Sequence, residues 1–177
     1  ISTRTLSKSS FDCSAVGANT IYLIVTDVNG NIDSASAVVT VQDVIKPTVV
    51  TQNLTVSLDA SGAGSVTVAD IDNGSTDNCS IATRTLSKSS FDCSDVGANT
   101  IYLIVTDVNG NVDSASALIT VEDVIKPTVV TTPSDIVLGY CDATYTYAIP
   151  TGDDNCSVIV TQIAGLAPGS TFPVGLT

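Results

Sequence analysis

The sequence predicts an all-β chain built from tandem modules of about 80 residues, and three observations predict it. First, residues 1–51 recur almost letter for letter as 81–131; only Ser2/Ala82, Ala15/Asp95, Ile32/Val112, Val38/Leu118, Val39/Ile119 and Gln42/Glu122 differ. A fixed period without insertions is one structural unit copied in tandem. Second, the apolar residues follow a period of two rather than 3.6. Third, turn signals recur at short intervals, the strongest being Asn29-Gly30 and Asn109-Gly110 between β-rich runs.

Taken in order, residues 19–26 and 32–41 are the first two strands, with Ile21, Leu23 and Val25 on one face and Ala35, Ala37, Val39 and Val41 matching them on the other strand. Asn-Gly between them predicts a type I′ turn, which needs positive φ at both positions. Asp43-Val44-Ile45-Lys46-Pro47 then breaks the pattern, because proline cannot sit in a central strand, and it recurs as 123–127. Module boundaries are placed there: 1–43 is the C-terminal part of one repeat, 44–123 a complete repeat, and 124–177 the N-terminal part of a diverged one. Within the complete repeat the strands are 48–52, 54–58, 65–68, a hairpin of 81–86 with 90–93 about Ser87-Lys88-Ser89, and the pair 99–106 and 113–121. About seven short alternating strands, with no helical periodicity, fit an immunoglobulin-like β-sandwich.

Acidic residues outnumber basic ones 18 to 6, a net charge of −12, and there is no His, Met or Trp. Such a surface repels nucleic acid and anionic lipid. Without His, the common general base and zinc ligand are both missing, so the chain reads as a non-enzyme. The longest apolar run, 101–105, is too short to span a bilayer. The chain opens inside a repeat, so a signal peptide or anchor would lie outside it.

Closely spaced cysteines without His read as disulfides in an oxidising compartment; the alternative is free buried thiols. Spacing predicts Cys79 with Cys93, across the open end of the expected hairpin, and Cys141 with Cys156. Cys13 is left unpaired, because the residue one period before Cys79 falls ahead of Ile1.

Residues 133–177, with Cys141, Asp153-Asp154-Asn155-Cys156 and Ser170-Thr171-Phe172-Pro173-Val174-Gly175, resemble a hyalin repeat, an immunoglobulin-like extracellular module. The repeat unit, with residues 71–79 (IDNGSTDNC) and 106–111 (TDVNGN), is similar to the tandem repeats of large Bacteroidetes surface proteins, in particular the SprB-like gliding-motility adhesins of flavobacteria. That resemblance implies export by type IX secretion, display at the cell surface and coupling to gliding machinery through regions outside this chain. It also implies contact with a substratum or surface polysaccharide. The Asp-Ser-Ala triplets at 33–35 and 113–115 match the short pattern that Bacteroidetes O-glycosylate, which makes Ser34 and Ser114 candidate sites; the alternative is an outward serine on a strand.

The loop 70–78 holds three carboxylates and two Asn, oxygen donors that suit calcium, although it lacks the EF-hand spacing. The plainer reading is a set of Asx turns, and a hairpin turn at 107–111. In a sandwich of this type the two loops share one end, which also receives the incoming chain. Asp70, Asp72, Asp77, Asp107 and Asn109 are therefore expected to gather beside Asp43 as a calcium site. The whole then reads as the stalk of a secreted adhesin whose modules contact their neighbours. The alternatives are a carbohydrate-binding array, which needs exposed aromatics, or an accessory region of a secreted hydrolase.

Overall fold

The computed structural model describes residues 1–135, 143–163 and 165–172. It is all-β: among the described residues, thirteen strands are accompanied by one helical turn and two 3-10 turns. The chain forms two compact units, Ile1–Gln52 with Val68–Ser87 and Tyr102–Ala117, and Asn53–Thr67 with Lys88–Ile101 and Leu118–Thr177. These units do not follow the repeat boundaries expected after residues 43 and 123.

The first copy is a three-stranded antiparallel sheet of β1 (Thr3–Leu6), β2 (Gly17–Thr26) and β3 (Ile32–Val41), in that order. β2 and β3 pair from Gly17↔Val41 to Thr26↔Ile32. The connection is not the type I′ turn. Asp27 N–H donates to Asn31 O at 2.9 Å, Gly30 N–H to Asp27 O at 3.2 Å, and Gly30 carries the positive φ of 88°. That is a three-residue loop with glycine in the bulge position, the next commonest hairpin after the two-residue forms. It wins because the Asp27 carboxylate accepts the Asn29 and Asn31 amides at 2.8 and 2.9 Å, so the turn's open donors are satisfied by its own first residue.

The complete repeat carries a four-stranded sheet in the order β4-β9-β8-β6, formed by β4 (Leu54–Ser57), β6 (Ile81–Leu86), β8 (Gly97–Asp107) and β9 (Val112–Glu122). β4 runs parallel to β9, from Leu54↔Ile119 to Ser57↔Glu122. A second sheet pairs β5 (Ala63–Ser65) with β7 (Ser90–Asp92). Two expectations change here. Residues 48–52 form only isolated bridges, Thr48↔Thr76 and Thr51↔Asp72, and Val68–Ile71 is a single helical turn, labelled α1. More consequentially, β6 and β7 are not a hairpin. β6 pairs with β8 and β7 with β5, so Ser87-Lys88-Ser89 carries the chain from one sheet to the other, as a sandwich requires.

In the second unit, Val56, Leu58, Val66, Phe91, Ile101, Ile119 and Val121 are buried. Gly64 on β5 sits so close to β4 that a side chain there would meet Val56 at 2.7 Å and Leu58 at 3.2 Å. In the first unit Ile71, Leu103, Val105 and Ala117 are buried. The near-identical copies differ sharply in burial: Leu103 is 0 % exposed and Leu23, one period earlier, 41 %. The same strand sequence is therefore closely packed as β8 and largely open as β2.

The last stretch forms two small antiparallel pairs, β10 (Thr128–Thr131) with β12 (Thr151–Asp153), and β11 (Ala143–Thr144) with β13 (Thr171–Phe172). Cys141 and the motif 173–175 lie outside the described residues.

Candidate functional site: an acidic, disulfide-clasped joint

Asp43 follows β3 immediately. Its carboxylate accepts the Ile45 amide at 3.1 Å, which turns the chain toward Pro47. The same carboxylate accepts the side-chain amides of Asn78 at 3.2 Å and Asn109 at 2.8 Å, while its backbone carbonyl accepts that of Asn111 at 3.2 Å. One residue at the end of the first copy is thus gripped by two loops of the next. Asp77 comes from the loop after α1: its Oδ2 accepts the Cys79 and Ser80 amides at 2.9 and 3.1 Å. Asp107 ends β8, is 2 % exposed, and accepts the Asn109 and Asn111 amides at 2.8 Å each.

Asp43, Asp77 and Asp107 each offer an oxygen within 4.8 Å of the others. Three carboxylates so close repel one another unless hydrogen bonds or a cation compensate. For Asp107, burial pushes the carboxyl upward, but the Asn111 side chain and the loop amides outweigh it and hold it below the ordinary value of 3.8. Asp77 Oδ1 is buried and has no hydrogen-bond partner. An all-oxygen set of three carboxylates with one such atom fits a hard cation such as calcium.

The expected site is therefore assembled in part. Asp43, Asp77 and Asp107 converge. Asn109 joins them as a donor to Asp43 rather than as an oxygen ligand. Asp70, on α1, and Asp72 lie outside the group. Asp72 pairs with Arg84 at 2.7 Å and accepts the Ser75 amide at 2.9 Å. The Arg84 guanidinium draws it away, a choice that carboxylate counting does not register. Asn78 and Asn111 were not anticipated; both stand in the repeated motifs, and Asn111 belongs to the same turn as Asp107.

The disulfides correct the sequence reading. Cys79 is bonded to Cys13, and Cys93 to Cys156, with sequence separations of 66 and 63. Cys79 does not pair with Cys93, because the hairpin that would have brought them together does not form. Cys13 is not unpaired, and Cys156 does not pair with Cys141. Each bridge joins a cysteine in the 3-10 turn of one repeat, Cys13–Ala15 or Cys93–Asp95, to the Asp-Asn-Cys-Ser cysteine of the next. The local geometry repeats: Cys13 Sγ lies 3.5 Å from the Asn78 carbonyl and Cys93 Sγ 3.5 Å from that of Asn155. Asp123 accepts Ile125 N–H at 3.1 Å as Asp43 accepts that of Ile45, and Asp154 Oδ1 is again buried without a partner. Two such bridges belong in an oxidising, extracellular-type compartment. Among the described residues no helix is long and apolar enough to cross a membrane.

Beside the first bridge is a shallow depression of about 310 Å³ lined by Phe11, Val16, Val41, Val44 and Ile45. Ser34 and Ser114 are exposed on β3 and β9, their amides donating to Asp33 and Asp113 at 2.8 and 2.9 Å. Tyr22 and Tyr102 are 47 % and 49 % exposed.

No family model matches the chain, and no curated protein does. Among solved structures it is similar to mouse clustered PcdhgC3 EC1-3, at 14% identity over 82% of this chain and 57% of that one, with a TM-score of 0.34. It is also similar to the protocadherin gammaB7 EC3-6 cis-dimer structure, at 15% identity over 95% and 56%, with a TM-score of 0.35. The chain spans a little over half the length of each.

Proposed function

We propose that this chain is a stretch of structural stalk from a large secreted adhesin, in which the joints between repeats are reinforced. The observation that carries this reading is the clasp on Asp43: three Asn side chains from the following repeat close on one residue of the preceding one. A joint held by specific contacts resists bending, and module number then sets length. Binding at the joint is cation-dependent in this reading: Asp43, Asp77 and Asp107 would hold calcium, which supplies charge neutralisation and ties loops of both repeats to one ion. The stalk belongs at a bacterial cell surface, exported by type IX secretion, working in attachment and gliding and carrying O-glycans at Ser34 and Ser114. It has no catalytic role.

The test uses the native host. Antibodies raised against this chain should label intact cells, and deletion of the gene should abolish attachment to glass and gliding. Labelling only after permeabilisation, or normal attachment in the deletion strain, would refute the reading. A carbohydrate-binding array is the second reading, favoured by the half-exposed Tyr at the same position of each copy. It requires Tyr102→Ala to abolish glycan binding that the native chain displays.

A further inference from the structure

We infer that the two bridges reroute tension, so that a pulled array transmits force through only about 15 residues of each repeat and shelters the rest. Connectivity alone dictates the route. The bridges close the loops 13–79 and 93–156, which follow one another without overlapping. Force applied at the ends therefore passes along the chain to Cys13, crosses to Cys79, follows residues 79–93, and crosses from Cys93 to Cys156. Residues 14–78 and 94–155 lie outside that path, and they include Asp43, Asp107 and strands β2–β5, β8 and β9.

What remains under load between the bridges is residues 79–93, for which the sequence predicts a hairpin. Its first half, β6, is bonded to β8, and its second half, β7, to β5. Extracting it means breaking pairing in two different sheets. Even when it is extracted, the gain is limited. A fully extended chain spans about 3.3–3.6 Å per residue, so the segment yields about 50 Å per repeat against about 280 Å for an unbridged repeat of the same period. Because the two bridges occupy equivalent positions, with Cys93 one period after Cys13, the same rerouting recurs at each such joint of a longer array. The device makes the chain nearly inextensible while oxidised and extensible when reduced.

This inference deepens the stalk reading, but its test reads the isolated chain and does not depend on attachment or gliding. The whole chain is held by handles at its two ends and stretched to full extension in an optical trap. Expected end-to-end length is about 170 Å oxidised and about 600 Å after a phosphine reductant. The double variant Cys13→Ser, Cys79→Ser should add about 230 Å to the oxidised value. An oxidised length near 500 Å, the value for a Cys79–Cys93 and Cys141–Cys156 pairing, would overturn the inference, as would equal lengths with and without reductant. A measurement independent of mechanical unfolding is the scattering radius in 6 M guanidinium: the oxidised chain should be clearly smaller than the reduced one, and equal radii would likewise overturn it.

Discussion

Cys13 and Cys79, 66 residues apart, stand with their Cα atoms 5.3 Å from each other, and Cys93 and Cys156 repeat that 5.3 Å spacing in the second unit. In the chain-entropy model, loops of this size make each bridge worth about 4 kcal/mol, more than the shorter loops expected from local spacing. Each bridge joins one repeat to the next, and the Cys13–Cys79 bridge adjoins the acidic clasp through Asn78, so that joint is both covalent and polar.

Burial, rather than sequence, should set the cost of identical mutations. Leu103→Ala is expected to destabilise by about 2–5 kcal/mol, because Leu103 is fully buried, whereas Leu23→Ala should stay within about 0.5 kcal/mol. Chemical denaturation of the two variants checks this. Equal losses would mean that the first copy is covered as fully as the second.

Gly62 has a φ of 76°, and a Cβ there would lie 2.7 Å from Cys93 Sγ and 2.8 Å from the Asn155 carbonyl oxygen. Gly110 has a φ of 90° with nothing within 4 Å. Gly110→Ala should therefore cost only the backbone term, about 1 kcal/mol, and Gly62→Ala distinctly more, about 2–3 kcal/mol. Melting curves that rank them the other way would remove the close packing at the second bridge.

Much of this was legible in the sequence, and the failures have physical causes. Alternation of Ile21, Leu23 and Val25 marked a strand because a half-buried sheet demands it. Sandwich topology alone brought Asp43, Asp77 and Asp107 to one end. The pairing of β6 was not legible, since Ser87-Lys88-Ser89 is as good a connection between sheets as within one. The cysteine pairing inherited that error: local spacing cannot say which repeat a thiol faces. The role of Asp72 was not legible, because its partner Arg84 stands on β6, twelve residues further along the chain.

Acid should unfold the chain, and the sign follows from the carboxylates. Asp107, pushed up by burial but held down further by Asn111 and the loop amides, sits below its ordinary value. Asp72 is likewise lowered: burial opposes, while Ser75 and Arg84 prevail. The unfolded chain thus takes up these protons first, at about pH 4, and stability is full above that point and lost as pH falls through the folded values. Tm should be flat from about pH 7 to 5 and then fall. Asp107→Asn should flatten the acid limb; an unchanged limb would contradict the assignment.

Calcium should raise Tm and stiffen the joint. At 100-fold excess over Kd a single site contributes about 2.7 kcal/mol, several degrees for a domain of this size. Asp77→Asn should abolish the shift. If chelator leaves both Tm and the maximum dimension from small-angle scattering unchanged, the loops are ordinary Asx turns.

The central claim is that the disulfides tie consecutive repeats. Trypsin tests it directly, because Lys46-Pro47 and Lys126-Pro127 resist cleavage while Arg84 and Lys88 are cut. Thiols are first alkylated, and the chain is then denatured and digested without reductant. With Cys13–Cys79 and Cys93–Cys156 intact, residues 9–84 and 89–177 should separate as two internally bridged peptides. Recovery of those two peptides still joined to each other, as a Cys79–Cys93 bond requires, would contradict the account.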